Sequence, residues 1–275
     1  MLVLAAAPCH AELNAGLDRA VITQSAEEYV YYQSGVSKAK SGDNEGAIAD
    51  FSRAIELRPR YGDAYSGRGN AKRGAGDFAR AIIDYNRAIS INPSNPDYYL
   101  NRGIAKDDSK DFGGAILDYT KAIELSPKDA DIYFSRGISY LSLQAPLSAI
   151  PDFTRAIRLK DSEPEYFFAR GVALSESGNP KDALRDFSLA IFMDPANDKY
   201  YGNRALAYQA LEDYEKSLSD FKKAISINPQ EVAYPLGISL IKALMNDFQG
   251  ACSDWRKLSQ SGAKNTAGLV AQYCK

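Results

Sequence analysis

Few side chains in this sequence could carry out acid–base or nucleophilic chemistry. The only histidine among the 275 residues is His10, which lies in an apolar N-terminal stretch. A chain without further imidazoles lacks the usual general base and the commonest metal ligand. The sequence also contains no glycine-rich phosphate loop, no CxxC pair and no HExxH helix. We therefore predict no catalytic residue, no metal site and no cofactor, and catalysis by carboxylates alone stays open.

Charged residues recur instead at a fixed step of 34 residues. Because ligand-binding residues vary between repeats and structural residues recur, we interpret the recurring arginines and aspartates as a structural ion-pair ladder. We expect each arginine to contact the aspartate of its own or an adjacent unit and so to fix the register of stacking. A stripe that binds a charged ligand is the weaker alternative. The predicted ladder consists of Arg68, Arg102, Arg136, Arg170 and Arg204 with Asp84, Asp118, Asp152, Asp186 and Asp220.

The step of 34 residues marks a helical hairpin, which is clearest in residues 96–129. Tyr99 and Gly103 lie on one face of a first helix, and Tyr119 lies on the apolar face of a second helix. Pro127 ends the second helix. A lone hairpin cannot bury both of its faces, so neighbouring units must stack.

This unit resembles the tetratricopeptide repeat, which has aromatic residues, small residues and a proline at set positions. The resemblance implies an all-α, right-handed α-solenoid of seven helical hairpins over residues 28–265. The matching residues of the third unit are Tyr99, Gly103, Ala115, Tyr119, Ala122 and Pro127. The seven units are 28–61, 62–95, 96–129, 130–163, 164–197, 198–231 and 232–265.

The two ends and one repeat depart from the pattern. Residues 1–11 resemble the end of a secretory signal peptide without its basic region, and a frayed cytosolic N-terminus is the alternative. Residues 12–27 predict a short leading helix, and residues 266–275 predict a helix that caps the last hairpin. In the fourth unit Pro151 lies within the second helix, so we expect that helix to start late or to kink.

Two cysteines near the C-terminus predict a disulfide. Cys252 and Cys274 lie in the last unit and in the cap, and their surroundings resemble the ending of bacterial proteins of this family. A bridge would hold the cap to the stack, and it requires an oxidising compartment. We therefore expect a periplasmic or secreted protein; two buried thiols in a cytoplasmic protein are the alternative.

The resemblance places a binding groove on the concave face, which the first helix of each unit lines. Such a groove suits a peptide with apolar anchors and basic flanks, and the alternative is that some of these side chains pack between repeats. The predicted groove consists of Leu100, Ile104, Phe134, Ile138, Phe168, Val172 and Leu206, with an acidic margin of Asp97, Asp131 and Glu165. The same positions of the last unit hold Leu236 and Leu240.

These features predict a non-catalytic scaffold that binds a protein or peptide. The net charge of −2 gives no electrostatic footprint for nucleic acid, and no apolar run is long enough to cross a membrane. The clamp by which some family members hold a C-terminal carboxylate lacks its cations here, because Tyr32, Val36, Gly67, Asp97 and Asn101 occupy its positions. A self-assembling envelope component is a second hypothesis, and an enzyme or small-anion binder is a third.

Overall fold

The computed structural model describes residues 26–264 and 266–274. The predicted signal segment 1–11 lies outside these residues, as does all but the last two residues of the segment 12–27. The described residues contain fifteen helices and no strand. Residues 26–40 form α1. The others are α2 (Asn44–Leu57), α3 (Gly62–Gly74), α4 (Phe78–Ile91), α5 (Pro96–Asp108), α6 (Phe112–Leu125), α7 (Ala130–Ser142), α8 (Pro146–Leu159), α9 (Pro164–Glu176), α10 (Pro180–Met193), α11 (Asp198–Ala210), α12 (Tyr214–Ile227), α13 (Ala233–Leu244), α14 (Phe248–Gln260) and α15 (Thr266–Tyr273).

The helices belong to two compact units, and the division in the chain falls after Lys128. The N-terminal unit holds the hairpins α1–α2, α3–α4 and α5–α6. The C-terminal unit holds the hairpins α7–α8, α9–α10, α11–α12 and α13–α14, with α15 packed on α14. Within each unit, the second helix of one hairpin contacts the first helix of the next, which is the hairpin stacking of an all-α solenoid.

In five of the seven hairpins a large ring of the second helix covers a glycine of the first. In the C-terminal unit, a methyl group added at Gly171 would lie 2.7 Å from Cε1 of Phe187. In the N-terminal unit, Gly69 meets the ring of Tyr85 in the same way. Both rings are fully buried. In these five hairpins the first helix presents a residue without a side chain, because a β-carbon would press against the ring.

The helix starts and stops follow local chemistry. Asp111 precedes α6 and accepts a hydrogen bond from the backbone N–H of Gly114, and Asp43, Asp77, Asp213 and Asp247 cap their helices in the same way. Helix α8 has no such cap. It begins at Pro146, which corresponds to Phe112 of α6 in the 34-residue step, so the expectation of a late start is wrong.

Pro151 lies within α8 and is exposed. Its missing N–H would have bonded the carbonyl of Leu147, whose residue is 72 % exposed. Water can therefore satisfy that carbonyl, which explains why a proline is tolerated at this point of the helix.

The C-terminal helix α15 covers the end of the last hairpin. Leu269 and Val270 pack against Cys252 and Trp255 of α14, and the rings of Trp255 and Tyr273 lie 6.0 Å apart. None of the described helices is long and apolar enough to cross a membrane.

Candidate functional site

The five arginines and aspartates of the predicted ladder form pairs within their own repeats. Arg170 donates from Nε to Oδ2 of Asp186 at 2.7 Å and from Nη2 to Oδ1 at 2.8 Å. The two bonds are parallel, as a guanidinium and a carboxylate prefer. The same two-bond contact joins Arg68 to Asp84, Arg102 to Asp118, Arg136 to Asp152 and Arg204 to Asp220.

The arginines also reach the preceding repeat. Nη1 of Arg68 donates to the hydroxyl of Ser52 at 3.1 Å, and Nη1 of Arg204 donates to the hydroxyl of Ser188 at 3.1 Å. Each of these arginines therefore connects its own hairpin with the one before it. This is the geometry expected of an ion-pair ladder that fixes the register of stacking.

A recurring lysine in the ladder was missed in the sequence analysis. Nζ of Lys72 lies 2.7 Å from Oδ2 of Asp84, so this aspartate is shared by a lysine and an arginine. The 34-residue step was the available signal. Lys38, Lys106 and Lys242 occupy the same position and contact Asp50, Asp118 and Asp254.

The predicted groove residues of the C-terminal unit fall into two groups. Phe134 and Phe168 are half-buried, and their rings lie 4.8 Å from that of Tyr166 and 4.9 Å from that of Tyr200. For these two residues the structure shows the alternative, which is packing between repeats. Ile138 and Leu206 are exposed, and Val172 is half-buried.

The acidic margin also connects repeats. The hydroxyl of Tyr166 donates to Oδ1 of Asp131, and that of Tyr200 donates to Oε1 of Glu165 at 3.4 Å. Burial of Tyr166, reinforced by its hydrogen bond to Asp131, raises the pKa of its hydroxyl well above the usual value. The carboxylates still lie at the surface, so they contribute negative charge beside the first helices.

The N-terminal unit presents a different, polar surface. Its cavity of about 420 Å³ is lined by Ser66, Asn70, Asp97 and Asn101 among other residues. The hydroxyl of Tyr85 donates to Oδ1 of Asn70 at 2.7 Å, which leaves the amide N–H groups of Asn70 as donors. The predicted groove residues Leu100 and Ile104 of α5 are half-buried.

Two of the cavities beside α13 in the C-terminal unit are apolar and have volumes of about 400 Å³ or more. The one between α11 and α13, which we call the middle cavity, has a volume of about 430 Å³ and is lined by Leu206, Leu236 and Leu240 among others. The other lies next to α15, has a volume of about 400 Å³, and is lined by Leu240 and Leu244 among others. Leu240 belongs to both cavities.

The predicted disulfide partners lie at bonding distance. The sulfur atoms of Cys252 and Cys274 are 2.07 Å apart, and their Cα atoms are 5.5 Å apart. Nη2 of Arg256 also donates to the backbone oxygen of Cys274 at 3.1 Å. The end of α15 is thus held against α14 beside the second cavity. Whether this bond forms depends on the compartment, and the disulfide and the export of the chain remain predictions.

Models of known protein families match several of the repeats. A model described as "TPR repeat" matches residues 37–74, 69–106 and 108–144, and a model described as "Tetratricopeptide repeat" matches residues 199–231. Together these segments cover about half of the chain. No curated protein matches the sequence.

Solved structures of repeat proteins are similar to this chain. YrrB, described as a TPR protein with an unusual peptide-binding site, has 25% identity and a TM-score of 0.60, and the match covers 67% of this chain and 95% of YrrB. MamA has 25% identity and a TM-score of 0.57 over 59% of this chain and 95% of MamA. A tetratricopeptide repeat protein from Parabacteroides merdae shares the fold at 18% identity, with a TM-score of 0.66 over 91% of this chain and 100% of its own. From the repeat geometry and these matches, the chain belongs to the tetratricopeptide repeat family.

Proposed function

We propose that this protein is a non-catalytic scaffold that binds a peptide or protein segment along the first helices of its C-terminal unit. These helices, α7, α9, α11 and α13, lie side by side, because each contacts the next. We call the surface that they share the first-helix face. Members of this family generally serve in protein–protein interaction, and the proposal specifies where on this chain the partner binds.

The observation that carries the proposal is a row of exposed apolar side chains on this face. Ile138, Leu206, Leu240 and Leu244 are all exposed, and Leu206 retains 52 % of its surface. Apolar side chains that are exposed together on one face of a protein often mark an interaction site. The peptide-binding site named for YrrB, a repeat protein similar to this chain, supports the same interpretation.

The charges beside the row define the partner further. Asp131 and Glu165 lie at the surface at the starts of α7 and α9. Basic residues that flank the apolar anchors of a partner would be attracted to these carboxylates. This attraction would mainly raise the rate of association. We therefore propose a segment with apolar anchors and a basic flank, bound without a cofactor.

A pull-down tests the site with variants chosen from the structure. Phe134 and Phe168 are unsuitable because they pack between repeats. The informative variant is Leu206→Glu with Leu240→Glu, which places two charges on the face; these side chains are 52 % and 36 % exposed, so circular dichroism checks that the variant folds. The matched control is Leu147→Glu with Phe192→Glu, because these side chains are 72 % and 84 % exposed on second helices.

The expected result is a protein captured by the wild type and by the control variant and lost with Leu206→Glu/Leu240→Glu. The proposal is refuted if Leu206→Glu/Leu240→Glu still captures the protein and Leu147→Glu/Phe192→Glu does not. That result would place the binding surface on the second helices.

We also propose that the protein is exported to the periplasm or secreted, with Cys252 joined to Cys274. Export would supply the oxidising compartment in which such a bond persists. Cell fractionation combined with thiol alkylation before and after reduction tests both points. Recovery in the cytoplasm with both thiols freely alkylated would refute them.

A further inference from the structure

The cavity of the N-terminal unit, which we call the polar cavity, lies where the apolar pattern of the first helices is interrupted. Its volume of about 420 Å³ is within the range of ligand-binding sites. Asn70 of α3 lines it and is the ninth residue of its unit. The second unit therefore places a hydrogen-bonding group where the others have an apolar side chain. The ninth residues of the other units are Val36, Ile104, Ile138, Val172, Leu206 and Leu240.

Polar groups in the wall of this cavity have hydrogen-bonding capacity that the described residues do not use. Oδ1 of Asn70 accepts from Tyr85, and its amide N–H groups have no acceptor within residues 26–264 and 266–274. Asn101 donates from Nδ2 to Oγ of Ser66 at 3.4 Å, which leaves its Oδ1 as an acceptor. Ser66 is 7 % exposed, and its own hydroxyl proton has no acceptor in the same part of the chain. Buried polar groups usually have partners, so these groups are suited to a polar ligand.

Two carboxylates in the same wall lack a cation. Asp63 and Asp97 lie in the first turns of α3 and α5, and both are exposed. The hydroxyl of Tyr98 donates to Oδ1 of Asp63, which leaves Oδ2 as an acceptor. Within the described part of the chain, neither carboxylate forms an ion pair.

The cations of these helices are engaged elsewhere. Those of α3 and α5 pair with aspartates that do not line the polar cavity: Arg68 and Lys72 with Asp84, Arg73 with Asp108, and Arg102 and Lys106 with Asp118. Lys40 of α1 is the one cation in the wall, and among the described residues no ion pair joins it to Asp63 or Asp97. The charge of the two carboxylates is therefore complementary to a cationic ligand.

Arginine fits this arrangement better than lysine does. A guanidinium has five N–H donors in one plane and forms paired hydrogen bonds with carboxylates. Tyr32 and Tyr98 belong to the wall, and aromatic rings suit its flat face. Asn70 follows Asp63 by seven positions, which at 1.5 Å per residue is about 10 Å along α3. An extended arginine can therefore reach the carboxylates while its own backbone carbonyl lies near Asn70.

We propose that the polar cavity binds one arginine side chain of an extended peptide. The guanidinium donates to Asp63 and Asp97, and the amide of Asn70 donates to the backbone carbonyl of the peptide. This site goes beyond the scaffold surface proposed above, because it lies in the N-terminal unit and uses no residue of the first-helix face. It gives the chain a second specificity, for a cation.

The test is an NMR titration of the ¹⁵N-labelled full chain with four short peptides. Each is a blocked peptide of glycine and serine with one central residue, which is arginine, lysine, citrulline or glutamate. Citrulline keeps the shape of arginine and removes its charge. Shifts of the backbone resonances of α1, α3 and α5 report contact with the polar cavity, and their concentration dependence gives the affinity.

We expect the arginine peptide to shift these resonances and to bind at least about tenfold more tightly than the citrulline peptide, because the charge-assisted hydrogen bonds are lost with the charge. The lysine peptide should bind about threefold more weakly than the arginine peptide, because it cannot form the paired bonds. Asp97→Asn keeps the size of an exposed side chain and should weaken arginine binding by about three- to tenfold. Asp63→Asn/Asp97→Asn should weaken it further.

The matched control is Asp131→Asn, which removes a carboxylate at the same repeat position of the fourth unit. It should leave the affinity for the arginine peptide unchanged. Leu206→Glu/Leu240→Glu should also leave it unchanged, because that variant alters the C-terminal unit alone. The titration and the pull-down therefore fail or succeed separately.

Four results would overturn the proposal. The first is equal affinity for the arginine and citrulline peptides, and the second is equal affinity of the wild type and Asp63→Asn/Asp97→Asn for the arginine peptide. The third is an arginine peptide that shifts no resonance of α1, α3 or α5 at millimolar concentration. The fourth is a lysine peptide that binds as tightly as the arginine peptide, which would show attraction by charge alone.

Discussion

Replacing Arg170 by methionine tests whether the ion-pair ladder holds the repeats together. Asp186 is 2 % exposed, and the side chain of Arg170 is 22 % exposed. The substitution keeps most of the apolar stem and removes both hydrogen bonds to the aspartate, so a buried carboxylate loses its counter-charge. Breaking a buried pair in this way costs about 3–5 kcal/mol. Since the arginine is partly solvated, we expect about 3 kcal/mol.

The measurement is thermal and urea unfolding followed by circular dichroism. A loss of about 3 kcal/mol corresponds to a fall in Tm of roughly 6–12 °C for a chain of this size. The double variant Arg170→Met/Asp186→Leu removes both charges, and we expect it to recover most of the lost stability. Lys160→Leu is the control, because Lys160 and Glu163 form an exposed pair on the same unit, and it should have no measurable effect.

Two results would refute this reasoning. The first is a single variant within about 0.5 kcal/mol of the wild type, the range typical of surface substitutions, which would show that water replaces the guanidinium without cost. The second is a double variant that is less stable than Arg170→Met, which would show that the methionine variant fails for lack of packing and not because of the unpaired charge.

Three further predictions concern packing, pH and the C-terminal helix. Gly171→Ala should destabilise the folded protein by about 1–3 kcal/mol, because the new β-carbon would lie 2.7 Å from the Phe187 ring. Gly113→Ala should stabilise it by about 0.5–1 kcal/mol, because a β-carbon there would meet no neighbouring atom within 4 Å. Equal shifts of Tm in the two variants would contradict this prediction. Burial, and then the charge of Glu165, raises the pKa of Tyr200 to about 12 from 10.0. The unfolded state therefore loses this proton first as the pH rises, so the stabilisation is complete below about pH 10 and disappears as the pH passes 12. Absorbance titration of tyrosinate should show this delay in the wild type, and Tyr200→Phe should flatten the alkaline fall in Tm. Cys274→Ser should lower the free energy of unfolding by about 3 kcal/mol, the loop-entropy value for two cysteines 22 residues apart. The stability of this variant should not depend on reductant. If the stability of the wild type does not depend on reductant either, the bond does not form.

The repeat fold was accessible from the sequence because its determinants are local and recur. Most of the 34-residue units carry the ring, the small residues and the proline that define one hairpin, so weak signals from seven units support one another. Tyr85 and Gly69 illustrate this, since their types and spacing already indicate the contact that the structure shows. Family assignment needs no knowledge of how distant parts of the chain meet.

The exposure of individual groove residues depended on tertiary contacts. Phe168 and Leu206 occupy first-helix positions of the predicted groove, yet Phe168 lies against Tyr200 while Leu206 remains exposed. Phe168 takes the fifth position of its unit and Leu206 the ninth, and only the stacked hairpins show which of these positions faces the next repeat. The lysines of the ladder recur in the sequence, but only the hairpin geometry brings Lys72 to Asp84.

The sequence by itself determined the architecture, the recurring charges and the two cysteines of the C-terminal end, because these follow from residue type and period. Only the tertiary structure decided which apolar side chains face solvent and which residues line the apolar cavity next to α15. That cavity is formed by α11, α13, α14 and α15 together, and its lining residues lie up to 64 positions apart, from Gln209 to Tyr273. Periodicity describes a repeat, whereas this cavity arises where the repetition ends and a different element, α15, meets the last hairpin.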